Sequence, residues 1–409
     1  MLNKEGIREL AYVVKIDDIQ PIVGSDNCEC AVVGGWHIMV RKGTFTAGDY
    51  AIYFEIDSKV DCTKPEFAFL VSKHGKIKTQ KYTFGGKGNF ISQGLLMSFN
   101  DFIDKEGRIP SWLAALNLSR ANGVDIIYTF LTKDLGVTYA EAEDNKRKAN
   151  SGDKYKKMAQ RHPKLFRKSF IRWLMRYKFG RKLLFFFFGK KKDKKNNWPN
   201  WVAKTDEERV ENMPWIFSNK SPFVATEKID GTSTTFTMKK GKWGKNKFYI
   251  CSRNVVFDKP DKQCFYETNV YTEMAQKYNI ENVLSSILAA HPDLDWVTLQ
   301  GETYGAGIQK RDYGLNEHRF MGFNFITSKE GRWDSVRASK FMSNYKIPWV
   351  PILNENYILP NTVEELRAFS HSEGSRIDGA IKEGIVFRSQ DGSMSFKCVD
   401  PEFLMIYHG

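Results

Sequence analysis

The stretch "VATEKIDGTSTTF", residues 224–236, sets Lys228 inside an apolar, β-prone run and directly before Ile-Asp-Gly. A lysine in a strand interior is either a solvated outward residue or a nucleophile held in a pocket. The second role needs an amine without its proton, which burial or nearby positive charge favours. Gly231 allows a close backbone approach or a left-handed turn. A tetrapeptide as short as K-I-D-G arises often by chance, so its meaning depends on what the rest of the chain supplies.

At 409 residues the chain is long for one core, and two domains plus an insertion are expected. A hydrophobic content of 42% with 14% aromatics is ample for globular folding. No apolar run follows Met1, so a secretory leader is not expected. The six cysteines show no C-x-x-C spacing, and Cys28-Glu29-Cys30 reads as reduced thiols of a cytoplasmic protein rather than a soft-metal site. The seven histidines form no H-x-x-x-H pair, which argues against a zinc enzyme.

Charge is unevenly placed. Residues 146–196 carry 20 Lys and Arg against two acids, Asp153 and Asp193. That is +18 within a chain of net charge +14, so the remainder sums to −4. The segment is read as a phosphate-contacting arm, with a solvated linker as the alternative. Within it, "HPKLFRKSFIRWLMRYKFG" spaces Phe166, Phe170, Trp173, Leu174 and Tyr177 as a helix does, with basic residues between them. The following Leu183–Phe188 run is six residues, far short of the ~20 that span a bilayer, and cations flank it. A membrane role is not expected.

Before the arm, residues 8 to about 110 read as short strands. "WHIMV" (36–40) places Trp36, Ile38 and Val40 on one face, and "YAIYFEI" (50–56) places Ile52, Phe54 and Ile56 inward. A third strand is expected in 89–99. Many short strands in so short a length suggest a small OB-like or SH3-like barrel. After the arm, strands are expected at 222–238, 246–252, 295–303, 319–326, 383–389 and 393–398. Helices are expected at 262–278, 281–290, 334–343 and 362–370, the last capped by Asn361 or Thr362.

Five further stretches lie on or at the ends of these strands: "CSRN" (251–254), "LQGETYG" (299–305), "FMGFNFI" (320–326), "EGIVFR" (383–388) and "SFKCVD" (395–400). Any one alone has a bland reading. Together they form the inventory for covalent nucleotidyl transfer: a lysine nucleophile, cations for phosphate, carboxylates for a divalent metal and an aromatic platform. Lys228 is the amine, and Arg253 and Lys397 are the cations. Asp230, Glu302 and Glu383 are oxygen ligands suited to Mg²⁺ or Mn²⁺. Phe323 is the π-face.

The order of these motifs resembles the covalent nucleotidyltransferase superfamily of ATP-dependent ligases and capping enzymes. KIDG, SRN, GETYG, FNFI, EGIVFR and SFK stand where that superfamily has its six motifs, spaced 25, 49, 21, 60 and 14 residues from Lys228 to Lys397. Only twelve residues follow Lys397, and a barrel-like region precedes the core. That arrangement, with "VVGGWHIMVRKGTFTAGDYAIYFEID", "NFISQGLLMSF" and "KTDEERVEN", resembles the Deinococcus-type RNA ligase family with its N-terminal OB domain. The resemblance covers about 1–140 and 196–409. It implies an α+β chain: an OB-like nucleic-acid-binding barrel (1–140), a basic aromatic helical insertion (141–196) and an adenylyltransferase domain (197–409). The last would be an ATP-grasp-like ligase core with antiparallel sheets.

The function so implied is ATP-dependent sealing of RNA 3′-OH and 5′-phosphate ends through a lysyl-AMP intermediate, in RNA repair. The cofactors implied are ATP and Mg²⁺ or Mn²⁺. The partner is nicked or broken RNA, with an RNA–DNA hybrid as a variant, and the protein is expected to act as a monomer. Glu227 and Glu302 are the residues implied for adenine-edge and ribose contacts. Related RNA ligases carry Lys-x-Lys in the last motif, whereas position 395 is Ser here, and Arg209 is the candidate for the missing charge. The rivals are a DNA ligase, a GTP-dependent capping-type enzyme and a non-catalytic RNA-binding protein.

Overall fold

The computed structural model describes residues 1–3, 7–85, 88–139, 169–174, 177, 184, 198–241, 245–253, 256–257 and 269–407. Its compact units do not follow chain order. One comprises Met1–Glu143, Asp206–Ile229 and Pro351–Gly409; the other comprises Asp144–Thr205 and Asp230–Val350. The half expected at 197–409 is thus shared between both, and the chain leaves the first unit immediately after Ile229.

The first unit begins with short strands. β1 (Ala11–Lys15), β2 (Asp18–Pro21), β3 (Cys28–Val33), β4 (Trp36–Arg41) and β5 (Tyr50–Phe54) are followed by β6 (Ser58–Lys59) and β7 (Lys76–Ile77). Next come β8 (Thr79–Thr83), β9 (Asn89–Gln93), β10 (Leu95–Met97), helix α1 (Ser111–Ala121) and β11 (Thr138–Tyr139). They pair as β1-β5-β10, β2-β3-β4, β8-β9 and β11-β6-β7. β4 buries Trp36, Ile38 and Val40 as its alternation requires. β5 departs from simple alternation, because all of Ala51–Phe54 is buried. Ile52 and Phe54 join one apolar cluster while Ala51 and Tyr53 join another, so both faces of this strand are covered. Of the basic arm, only α2 (Ser169–Leu174), Tyr177 and Leu184 are among the described residues, and α2 falls inside the expected helix.

Two further strands of the first unit are β12 (Glu208–Arg209) and β13 (Phe223–Lys228). The chain then enters the second unit. Its six-stranded sheet contains β14 (Thr232–Lys239), β15 (Lys247–Ser252), β16 (Val256–Phe257), β17 (Trp296–Gly305), β18 (His318–Thr327) and β19 (Gly331–Arg332). Their order is β16-β15-β14-β17-β18-β19. Helices α3 (Val270–Lys277), α4 (Ile280–Ala290) and α5 (Ser335–Ser343) supply Met274, Leu284, Ile287 and Met342 to a core against Phe236, Leu299, Phe320 and Phe325. The single strand expected at 222–238 is therefore two strands in two sheets, broken at 229–231. The first part of the helix expected at 262–278 lies outside the described residues. The described helix starts at Val270, where the Asn269 side chain accepts from the Thr272 amide at 2.7 Å.

Back in the first unit, β20 (Ile352–Tyr357), α6 (Val363–Ser372), β21 (Gly384–Ser389), β22 (Ser395–Val399) and α7 (Pro401–Tyr407) complete the chain. The Thr362 hydroxyl caps α6 by accepting from the Glu365 amide at 3.2 Å. The sheet order is β12-β22-β21-β13-β20, antiparallel except for the parallel β12–β22 pair. Expected and observed architecture agree in kind: α+β, with mostly antiparallel sheets.

Asn212 joins the barrel to the segment around β12. It accepts from Trp36 Nε1 at 2.7 Å and donates to Glu55 at 3.0 Å and Glu208 at 2.9 Å, with the Tyr12 hydroxyl 3.1 Å away. Burial opposes ionisation of Glu55, but the Met1 ammonium and the Arg8 guanidinium outweigh it and hold the carboxyl near 2. Asn212→Ala strands the Trp36 N–H in a buried site, and the expected cost is about 2–3 kcal/mol of unfolding free energy in denaturant titration.

Candidate active site

Lys228 is the last residue of β13 and pairs with Gly384 of β21. Its Nζ lies 2.7 Å from Glu383 Oε1, both side chains being largely buried. A side chain at Gly384 would meet the Cys398 carbonyl at 2.2 Å, so only glycine lets β21 run this close to β22 beside the ion pair.

One face of this sheet collects the charged groups. Thr226 pairs with Val386, Val386 with Lys397, and Lys397 with Arg209 across four neighbouring strands. Directly opposed residues share a face, and so does Lys228, two residues beyond Thr226. Lys397 Nζ is 3.3 Å from Asp206 Oδ1. Burial pushes the Lys397 ammonium down to about 8; Asp206 opposes this, while Arg8, Arg209 and Lys228 add to it. Arg209 is buried, 3.6 Å from Asp57 and stacked 5.8 Å from the Trp36 ring.

Ser395 contributes a hydroxyl to Glu207, which also lies 3.4 Å from the buried Arg388. Arg388 in turn donates to Thr226 Oγ1 at 3.0 Å. The position where relatives carry a second lysine thus serves a Ser395–Glu207–Arg388 chain. Charge beside Lys397 comes from Arg209, its neighbour in the β12–β22 ladder.

Glu227 points to the opposite face from Lys228, as strand alternation demands. Its carboxylate accepts from the Ser375 hydroxyl and from the Arg376 amide at 2.8 Å. It thereby ties down the loop that leads into Glu383.

The second unit carries the other expected residues. The buried Asp230 donates its amide to the Tyr313 hydroxyl at 2.7 Å, and Gln309 donates to the Gly231 carbonyl at 3.0 Å. The Arg311 guanidinium lies 4.2 Å over the Tyr313 ring, which packs edge-on to Tyr304 at 5.2 Å. The loop after β17 therefore grips the K-I-D-G turn. Glu302 lies on β17 opposite Ser233. Its charge helps raise the Tyr271 hydroxyl above its ordinary value, after burial as the larger cause. Phe323 is the extra residue of a β-bulge: Gln300 pairs with Asn324 and Gly301 with Gly322, leaving Phe323 between them. Bulges re-aim a side chain, and here they turn an aromatic out of strict alternation. Arg253 directly follows β15.

Asp230 and Glu302 thus belong to the second unit and Glu383 to the first. Among the described residues no three His, Cys, Asp or Glu side chains cluster as a metal cage. Hard cations such as Mg²⁺ need no such cage, since one or two carboxylates, waters and substrate phosphates complete the shell. Asp230, Glu302 and Glu383 each offer the oxygen donors that such an ion takes. Asp206, Arg8 and the Arg311–Tyr313 grip were not singled out as site residues from the sequence. "TDEER" marked only Arg209, and nothing near Arg8 signals its role.

A strand lysine paired with a glutamate, with a buried lysine and arginine on the same face, is an arrangement suited to covalent nucleotidyl transfer. Residues 221–399 match the RNA ligase family model, and residues 10–98 match the PHA02142 OB-fold domain. Residues 221–399 are thus similar to the RNA ligase family and residues 10–98 to an OB-fold domain. No curated protein matches it. Naegleria gruberi RNA ligase with PPi superposes at a TM-score of 0.67 with 23% identity, covering 98% of this chain and 99% of that one. Mutants of the same ligase give a TM-score of 0.68: with ATP and Mn at 22% identity, covering 98% and 100% of the two chains, and with AMP and Mn at 23%, covering 98% and 99%.

A side chain at Gly231 would come within 2.4 Å of the Thr303 carbonyl and 2.9 Å of Glu302 Cγ. Gly231→Ala is therefore expected to overpack the turn after Asp230 and cost about 1–3 kcal/mol, measurable by thermal unfolding.

Proposed function

We propose that this chain is an ATP-dependent RNA ligase that joins 3′-OH and 5′-phosphate ends through adenylate carried on Lys228. The observation that carries the reading is Lys228, at a strand end, 2.7 Å from Glu383 and on the same sheet face as Lys397 and Thr226. The similarity of residues 221–399 to the RNA ligase family and the likeness to Naegleria gruberi RNA ligase with ATP or AMP and Mn support it.

The ammonium cannot attack phosphorus. The proton leaves toward Glu383, the nearest carboxylate, and the free amine forms an N–P bond to the α-phosphorus of ATP as the bond to pyrophosphate breaks. Lys397 and Arg209 offer fixed positive charge to the phosphates in a site of low dielectric. Arg253 and Phe323 are proposed for phosphate and adenine contact, and Glu302 for the ribose. A divalent ion held by Asp230, Glu302 or Glu383 would neutralise phosphate charge. The adenylate then passes to an RNA 5′-phosphate, and the 3′-hydroxyl attacks that phosphorus and expels AMP.

The basic arm at 146–196 is proposed to hold RNA by its phosphates. No helix among the described residues is long and apolar enough to cross a membrane, and the described cysteines are free thiols. A cytoplasmic, monomeric enzyme is proposed.

Incubation with α-labelled ATP should leave an adduct on denaturing gels, and Lys228→Ala should abolish it. Label retained in that variant overturns the assignment. GTP should label poorly, and RNA 3′-OH nicks should be sealed in preference to DNA ones. Neutralising the lysines at 190–192 and 194–195 should weaken RNA binding and flatten its dependence on salt, with self-adenylylation intact. An unchanged salt slope would assign these lysines a role other than phosphate contact.

A further inference from the structure

The strand face that carries Lys397 is not completed by the catalytic sheet alone. Asp206, just before β12, shares one carboxylate between two cations. Its Oδ1 is 3.3 Å from Lys397 Nζ, and Arg8 closes on it with Nε at 3.2 Å from Oδ2 and Nη2 at 3.3 Å from Oδ1. Arg8 lies ahead of β1, at the OB end of the chain. It is itself fixed by Glu55 at 3.1 Å and by the Glu207 carbonyl at 3.2 Å. Arg8 and Asp206 are each only 12% exposed, and Glu55 is 2% exposed. A bidentate guanidinium–carboxylate pair in so dry a place has one preferred geometry, unlike a solvated ion pair.

We propose that Asp206, clamped by Arg8, is a positioning residue that aims the Lys397 ammonium at the nucleotide phosphates and keeps it charged, so that the OB end of the chain takes part in the adenylylation step. The inference rests on the lysyl-AMP reading above and adds to it a residue pair that lies outside the ligase motifs. Its physical basis is the balance around Lys397. Burial, Arg8, Arg209 and Lys228 favour loss of its proton; Asp206 alone among these neighbours opposes that loss. The ammonium is therefore complete well below about 8 and is lost as pH rises through that value.

Asp206 and Arg8 consequently have opposite electrostatic signs at Lys397. Removing the carboxylate should let the proton go at lower pH, and removing the guanidinium should hold it to higher pH. A merely structural pair would do neither; its loss would scale the rate at every pH.

The test is the pH profile of self-adenylylation of the full chain at ATP concentrations far below saturation, where kcat/KM reports groups of the free enzyme. In Asp206→Asn the alkaline fall should begin at lower pH, with activity about fivefold below the parent's at the pH where the parent is half-active if the shift is one unit. In Arg8→Ala the fall should move to higher pH. Arg8→Lys and Asp206→Glu keep the charges and should return the profile toward that of the parent, which also covers misfolding of the truncated variants. Constant scaling across pH in both charge-removing variants, or displacement in the same direction, overturns the proposal. Lys228→Ala run alongside separates the two failures. A parent that takes no label defeats the lysyl-AMP reading itself, whereas a labelled parent with unshifted variants defeats only the role of Asp206 and Arg8.

Discussion

The Lys228–Glu383 ion pair is the constraint on which the catalytic face depends. Two charged groups 2.7 Å apart and largely withdrawn from water hold each other in place. Their attraction joins the end of β13 to the start of β21, and Gly384 lets β21 lie close enough to β22 to bring Lys397 onto the same face. The arrangement also sets the chemical problem. In the proposed reaction the carboxylate that holds the ammonium is also a group able to take its proton.

Around that pair runs a thread of ionic contacts from the acidic stretch at 206–208. Asp206 meets Arg8 and Lys397, Glu207 meets Arg388 and Ser395, and Glu208 receives Asn212. Each acid is matched to a cation or donor, which is what makes so many charges tolerable in a poorly hydrated region. The thread lies wholly within the first unit, where the OB strands and the five-stranded catalytic sheet are assembled together. The OB-fold domain is in this respect part of the structure that shapes the lysine site, in addition to its expected nucleic-acid role.

The chain's division into units carries a second consequence. Lys228 and Asp230 are two residues apart, yet they belong to different compact units. On the second unit's side, Asp230 donates to the Tyr313 hydroxyl and Gly231 lies close against the Thr303 carbonyl. K-I-D-G is thus the point where the chain passes from one unit to the other, and the buried Asp230 and close-packed Gly231 belong to the second.

Much of this was legible in the residues themselves. Period-two alternation in "WHIMV", the apolar run around Lys228 and the ordered series from Arg253 to Lys397 depend on local sequence, because strand periodicity and motif spacing are properties of neighbouring residues. The OB-like barrel and the α+β class could be inferred on those grounds, and so could the place of Lys228 on a strand. Other features needed the tertiary structure. Glu227 sits next to Lys228, but strand alternation turns it to the far face, where Ser375 and Arg376 claim it. β5 is buried on both faces because two separate clusters meet there. Arg8 reaches Asp206 across 198 positions of chain, and no local pattern records a contact made only when distant segments fold together. Sequence alone determined the strand pattern and the residue types available along it; the folded chain decided which neighbours hold the charged groups, because long-range electrostatic pairing is set by the assembled backbone.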